Sequence, residues 1–135
     1  FERIEPALAR GDWVICDRFT DSTYAYQGGG RGISATLIAQ FEDLTLGSFA
    51  PNLTLLLDVP IAIGLARAAQ VGAPDRFESE QHAFFERARE TFLRRAETQA
   101  RTQIIDASQS QVIVKRSVLR LVEQHWRSVQ GKPHE

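Results

Sequence analysis

A chain of 135 residues is the size of one ordinary domain. With 43% hydrophobic and 24% charged residues, it is neither a disordered nor a collagen-like sequence. The 16 Lys and Arg against 17 Asp and Glu leave a net charge of -1, which offers no broad field for nucleic acid or an anionic membrane, and no apolar run approaches the about 18 residues of a membrane span. The single cysteine, Cys16, rules out an internal disulfide framework and fits a reducing compartment.

Residues 2–10 read as a helical tail, with Ile4 and Leu8 inward and Pro6 breaking it. Gly11 and Asp12 mark a turn. Trp13, Val14, Ile15, Cys16 and Asp17 then form a short run without alternation, as in a strand buried on both faces, with Cys16 buried and inert. Over residues 34–46, Leu37, Ile38, Phe41 and Leu44 share one helical face. A second strand covers residues 53–59, and Pro60 opens a helix over 60–70 in the favoured first-turn position. Residues 78–103 predict a long charged helix with Phe85, Ala88, Phe92 and Ala96 in register. A weaker strand over 103–106 precedes a helix over 111–129 that aligns Val114, Val118, Leu121, Val122 and His125. This alternation predicts an α/β fold, a parallel sheet covered by helices on both faces, in one domain. Ligands of such sheets bind beyond the carboxyl ends of the strands. The candidates are therefore Asp17 and Arg18, Asp58, and Asp106, Ala107 and Ser108.

The stretch from Asp17 to Gly32 is the most informative. An acid and an arginine at a strand end suit an anionic ligand with a metal nearby, because the arginine fork matches phosphate and the carboxylate can hold the arginine or a water on Mg²⁺. Ser22, Thr23 and Gln27 can read the polar edge of a base, and a tyrosine can pack against a sugar. The same residues would also suit a strand-end ion pair followed by a flexible turn. Arg31 would either reach a phosphate or brace the glycine turn. Asp58 reads as a structural strand-end acid, and Ser108 as either a loop residue or a helix cap.

The run Gly-Asp-Trp-Val-Ile-Cys-Asp-Arg (11–18), followed by Ser-Thr-x-Ala-Tyr-Gln-Gly-Gly-Gly-Arg-Gly (22–32), resembles bacterial thymidylate kinase. Later segments agree in order: 51–59 with that family's fourth strand, Asp75-Arg76-Phe77-Glu78 with the end of its lid, Phe84-Phe85 through Phe92-Leu93 with the next helix, and Ile105-Asp106-Ala107-Ser108 with its last strand and loop. The resemblance runs from about Phe1 to Trp126. It implies a P-loop, nucleoside monophosphate kinase-like fold, and transfer of the γ-phosphoryl of ATP to dTMP, with Mg²⁺. It implies that Arg18 binds the dTMP phosphate and that Asp17 orients the phosphate or the Mg²⁺ shell. Ser22, Thr23 and Gln27 would line the thymine pocket, with Tyr26 beneath the deoxyribose, where a 2′-hydroxyl would clash. Tyr24 is assigned no role. A lid over about 65–80 would bring Arg76 to the phosphates, Arg67 along the adenine, and Ala107 and Ser108 against the base. Such an enzyme would be a cytoplasmic homodimer formed through helices, acting on neither nucleic acid nor membrane, and the sequence offers apolar faces for this such as Phe41 and Leu44.

The chain opens on Phe1 and contains no Met, so it reads as the C-terminal portion of a longer protein, inactive by itself. No Gly-x-x-x-x-Gly-Lys-Ser/Thr phosphate loop occurs in it. In the family the strand between the first two strands seen here lies upstream, so direct pairing of Ile15 with Leu56 is not expected. The alternatives are another nucleotide or nucleoside kinase of similar fold, or a non-catalytic nucleotide-binding module.

Overall fold

The computed structural model describes residues 2–70 and 79–130. Its elements run α1 (Ile4–Ala9), α2 (Thr20–Thr23), a π-helix (Tyr24–Gly30), α3 (Ala35–Leu46), β1 (Thr54–Asp58), α4 (Ile61–Gln70), α5 (Ser79–Thr98), β2 (Thr102–Asp106) and α6 (Gln111–Gln130). The two strands pair in parallel, with Leu56 opposite Ile104 and Asp58 opposite Asp106. This register brings both strand ends, each finishing in an aspartate, to one edge of the sheet. The α/β class and the parallel pairing are those the sequence predicts.

The predicted first strand is not one. Residues 13–16 belong to no strand among the described residues, and Ile15 is 95% exposed. A ladder needs a partner for its N–H and C=O groups, and among the described residues β1 pairs only with β2. Ile15 and Leu56 are not paired with each other, as expected. Cys16 is exposed for the same reason, not buried, and its thiol donates to the Arg18 carbonyl at 3.2 Å.

Several helix predictions need correction. Pro6 does not break α1, because it falls in the first turn, where its missing N–H has no helical partner to lose. Leu8 is exposed, whereas Ile4 is half-buried. On α3 only Ile38 is buried, and Leu37, Phe41 and Leu44 stand in solvent. Helix α5 stops at Thr98, earlier than predicted, and β2 starts at Thr102. On α6 the five predicted inward residues are all half-buried, and Trp126 packs on Trp13 with ring centres 5.3 Å apart.

The tightest packing lies between α5 and the π-helix. Ala25 and Ala88 are buried there, and the α5 residues Phe84, Arg87, Thr91, Phe92 and Arg95, spaced by three and four apart from the adjacent Thr91 and Phe92, all reach α2 or the π-helix. Glycine makes this approach possible. A Cβ on Gly29 would overlap the Thr91 hydroxyl, and one on Gly30 would overlap the Phe84 ring. The Arg87 guanidinium then donates to the carbonyls of Gly29 (3.3 Å) and Gly30 (3.0 Å), the last groups of the π-helix.

Candidate functional site

Two groups of predicted residues are each drawn together. The first lies on α2 and the π-helix. Arg18 precedes them with a left-handed backbone (φ 68°), the one non-glycine residue so placed among the described residues. That conformation costs on the order of 1–2 kcal/mol for a residue with a Cβ. It persists only where surroundings fix it, and such positions concentrate at binding sites. The exposed Arg18 side chain lies with its guanidinium carbon 5.2 Å from the centre of the Tyr26 ring. Tyr26 is itself held by Phe84, stacked at 6.2 Å, and by Phe92, edge-on at 5.8 Å.

Tyr26 and Gln27 follow Ser22 and Thr23 through a π-helix, a rare form that is frequent at functional sites. Gln27 offers its carbonyl to Arg31, 2.9 Å away, so Arg31 braces the glycine turn. The Ser22 and Thr23 hydroxyls make no side-chain hydrogen bond among the described residues. Asp17 is exposed and makes no ion pair among them.

The second group forms at the carboxyl ends of the strands. Arg67 of α4 donates to the carbonyls of Ala107 (2.6 Å), Ser108 (2.7 Å) and Gln109 (3.3 Å). Asp106 fastens the same loop, accepting from the Ser108 hydroxyl and N–H and from the Gln109 amide. The Ser108 hydroxyl, its N–H and then the Gln109 amide hold the Asp106 carboxyl below its ordinary pKa. Ser108 is thus a loop residue and not the cap of α6, whose first turn closes on the Ser110 carbonyl. Arg76 and residues 71–78 of the expected lid lie outside the described residues.

Asp58 is structural, as read. Its carboxylate takes a bidentate grip from Arg89 at 2.7 and 2.8 Å, which raises the Arg89 pKa above its usual value. No cluster of three or more His, Cys, Asp or Glu suited to a metal occurs among the described residues. No described helix is long and apolar enough to cross a membrane.

Sequence reasoning missed a cluster beside the first group. The Asp21 carboxylate bonds Arg95 at 2.8 Å and Arg101 at 2.9 Å, with the three side chains only 13%, 19% and 14% exposed. Burial pulls the Asp21 carboxyl upward, but the hydrogen bonds and charges of Arg95 and Arg101 outweigh it and hold the pKa below the ordinary value. Arg95 also lies 3.5 Å over the Tyr24 ring, and the Tyr24 hydroxyl donates to Glu42 at 2.6 Å. Burial first, then the bond to Glu42, raises the Tyr24 phenol above its ordinary pKa. No local signal marks these partners, which stand 74 and 80 residues from Asp21.

The thymidylate kinase family model matches residues 1–118. The chain belongs to the thymidylate kinase family. Thymidylate kinases of Pseudomonas syringae pv. tomato and Pseudomonas fluorescens are 53% and 56% identical to it over 122 residues, covering 90% of this chain and 58% of theirs. Its fold is similar to the crystal structure of thymidylate kinase from Ehrlichia chaffeensis, with a TM-score of 0.67 and 30% identity over 90% of this chain and 56% of that one. The chain therefore spans a little over half the length of the thymidylate kinases it matches, and its fold is a partial nucleoside monophosphate kinase fold.

Proposed function

We propose that this chain serves the dTMP kinase reaction, transfer of the γ-phosphoryl group of ATP to dTMP, and that it supplies the acceptor pocket and the adenine loop. The observation that carries this reading is the Arg18–Tyr26 stack, in which a strained backbone holds a cation over the ring assigned to the sugar. Arg18 binds the acceptor phosphate. Tyr26, fixed by Phe84 and Phe92, meets the deoxyribose face and disfavours a 2′-hydroxyl. Ser22, Thr23 and the amide N–H₂ of Gln27 face the thymine. The Gln27 carbonyl already accepts from Arg31 with one of its two lone pairs, so the N–H₂ donors are the groups this residue leaves fully open to the base.

The Ala107–Ser108 backbone and Arg67 hold the adenine side of ATP. Because Arg67 spends its donors on three carbonyls, it shapes that loop and leaves only its flat face for the base. Phosphoryl transfer rests on positioning and on cations that neutralise the spreading charge. Arg76 is the proposed lid cation. Mg²⁺, which binds through one or two carboxylates plus substrate phosphates, fits the exposed Asp17, and when bound it neutralises phosphate charge. The chain is assigned the acceptor and base ends of the reaction, not the triphosphate cradle.

The proposal includes a cytoplasmic homodimer, supported by Leu37, Phe41 and Leu44, which leave an apolar α3 face in solvent. Calorimetric titration of the purified protein with dTMP, thymidine and UMP tests the pocket. dTMP should bind tightest of the three, and equal affinity for all would overturn the reading.

A further inference from the structure

Helix α2 (Thr20–Thr23) is the first turn of a helix that runs on without a break into the π-helix, and its N-cap residue, Phe19, provides no side-chain cap. The leading N–H groups of a first turn have no intrahelical partners, so side-chain ties from outside do most to fix where it lies. Asp21 bears the only ion pairs from α2 among the described residues, and they run to two arginines of separate segments. Arg95 sits near the end of α5. Arg101 lies in the turn before β2 and bonds the Thr54 hydroxyl at the start of β1 with its other nitrogen. One carboxylate thus ties α2 to α5 and to the head of the sheet. The residues straight after it are Ser22 and Thr23, and Tyr26 lies one turn on.

We propose that Asp21 is a positioning residue for the acceptor pocket, fixing through Arg95 and Arg101 the register in which Ser22, Thr23 and Tyr26 meet the nucleoside. This rests on the dTMP reading above and adds a residue that touches no substrate. Both arginines carry full positive charge at near-neutral pH, and Arg95 is confined further by the Tyr24 ring. Replacing the carboxylate leaves two half-buried guanidiniums facing each other without an anion between them. They must separate, and α2 loses its tether. Arg18 shares no ion pair or hydrogen bond with the cluster among the described residues and meets the displaced segment only at the Tyr26 ring, so its grip on a phosphate should change less than the nucleoside contacts.

The test separates pocket placement from stability. Asp58, the last residue of β1, grips Arg89 on the same helix α5 and makes no ion pair with α2 among the described residues, so D58N loosens the β1–α5 junction and leaves the α2 tie in place. Wild type, D21N, D21E and D58N are titrated with dTMP, thymidine and UMP, and their thermal midpoints are recorded. D21N should weaken dTMP about tenfold and narrow its preference over UMP by a similar factor, given that small misplacements of binding groups cost up to about a hundredfold. The ratio of dTMP to thymidine should stay at the wild-type value. D21E should restore part of the preference, and D58N should leave both ratios unchanged despite its lower midpoint. If D21N does not fold, R101K, which weakens one arm only, carries the same expectation. The inference fails if D21N keeps the wild-type preference, or if D58N narrows it equally. A wild-type protein that binds dTMP and UMP alike overturns the acceptor reading and this inference with it, whereas intact wild-type selectivity with an unchanged D21N overturns this inference alone.

Discussion

Gly29 of the π-helix and Thr91 of α5 meet with no space left between them: a Cβ at Gly29 would overlap the Thr91 hydroxyl and stand 2.8 Å from the Arg87 carbonyl oxygen. A side chain can swing away, but a helix carbonyl cannot. G29A should therefore destabilise the fold by about 1–3 kcal/mol, the usual cost of overpacking. A lower urea midpoint at unchanged slope would show it. Adding T91A should recover part of the loss. Gly32 is the contrast: its φ of 79° makes alanine strained, yet nothing lies within 4 Å of its Cβ, so T91A should not rescue G32A. Equal rescue of both would remove the packing argument.

Arg18 offers a different kind of prediction, since it is exposed and serves ligand more than fold. R18A removes a charge-assisted bond of about 1.5–3 kcal/mol, and dTMP affinity should fall on the order of ten- to a hundredfold. Thymidine, which has no phosphate, should bind R18A much as it binds wild type. R18K should recover little, because an ammonium neither forks onto a phosphate nor lies flat over Tyr26. Calorimetry on the three proteins decides this, and a parallel loss of thymidine binding would count against the phosphate role.

Which parts of this site the sequence discloses follows from the range of the interactions. Leu55, Leu56 and Leu57, like Ile104 and Ile105, announce β1 and β2 because aliphatic runs are a local property, and the α6 stripe from Val114 to His125 repeats within a few turns. Trp13 to Cys16 carries the same local signature, but a strand is a relationship between two segments, and no described segment pairs with it as a strand. Gly28, Gly29 and Gly30 read locally as a turn. Their use, admitting Thr91 and Phe84 to the backbone, depends on a helix some 60 residues further on. Arg18, Ser22, Tyr26 and Gln27 are recognisable because they share one short motif. Asp21 sits inside that motif and still escapes notice, since its meaning lies in Arg95 and Arg101. The joining of Arg67 to Ala107 and Ser108 was readable only as a shared role in the family, not as the bond that the fold supplies.

The Asp21 cluster also makes stability depend on pH. Its carboxyl is held below the ordinary value of 3.8 in the folded state, so the stabilisation is fully present above that value and is lost as pH falls through the folded pKa. D21N lacks the charge at every pH. The gap in denaturation midpoint between wild type and D21N should therefore be constant from pH 7 to about 5, and should close as wild type is acidified below 3.8. A gap that persists undiminished at pH 2, with both proteins still folded at zero denaturant, would mean that packing and not charge sets the difference.

Arg67 and the loop after β2 give the last prediction. Three carbonyls from consecutive residues converge on one guanidinium, and only a planar group with several fixed donors can serve all three. R67K leaves a single ammonium that reaches one or two of them. The loop is then held from one side only, by Asp106, whose low pKa keeps that grip intact above 3.8 and releases it as pH falls through the folded value. Titration with ATP should show R67K weakened about tenfold, the worth of one charge-assisted hydrogen bond, and R67A somewhat more. Affinity for dTMP should stay unchanged, because no hydrogen bond or ion pair runs from Arg67 to α2 or the π-helix among the described residues. If ATP binds R67K and wild type alike, the loop does not need its arginine to receive the base; if dTMP weakens in step, Arg67 supports the whole fold instead of this one loop.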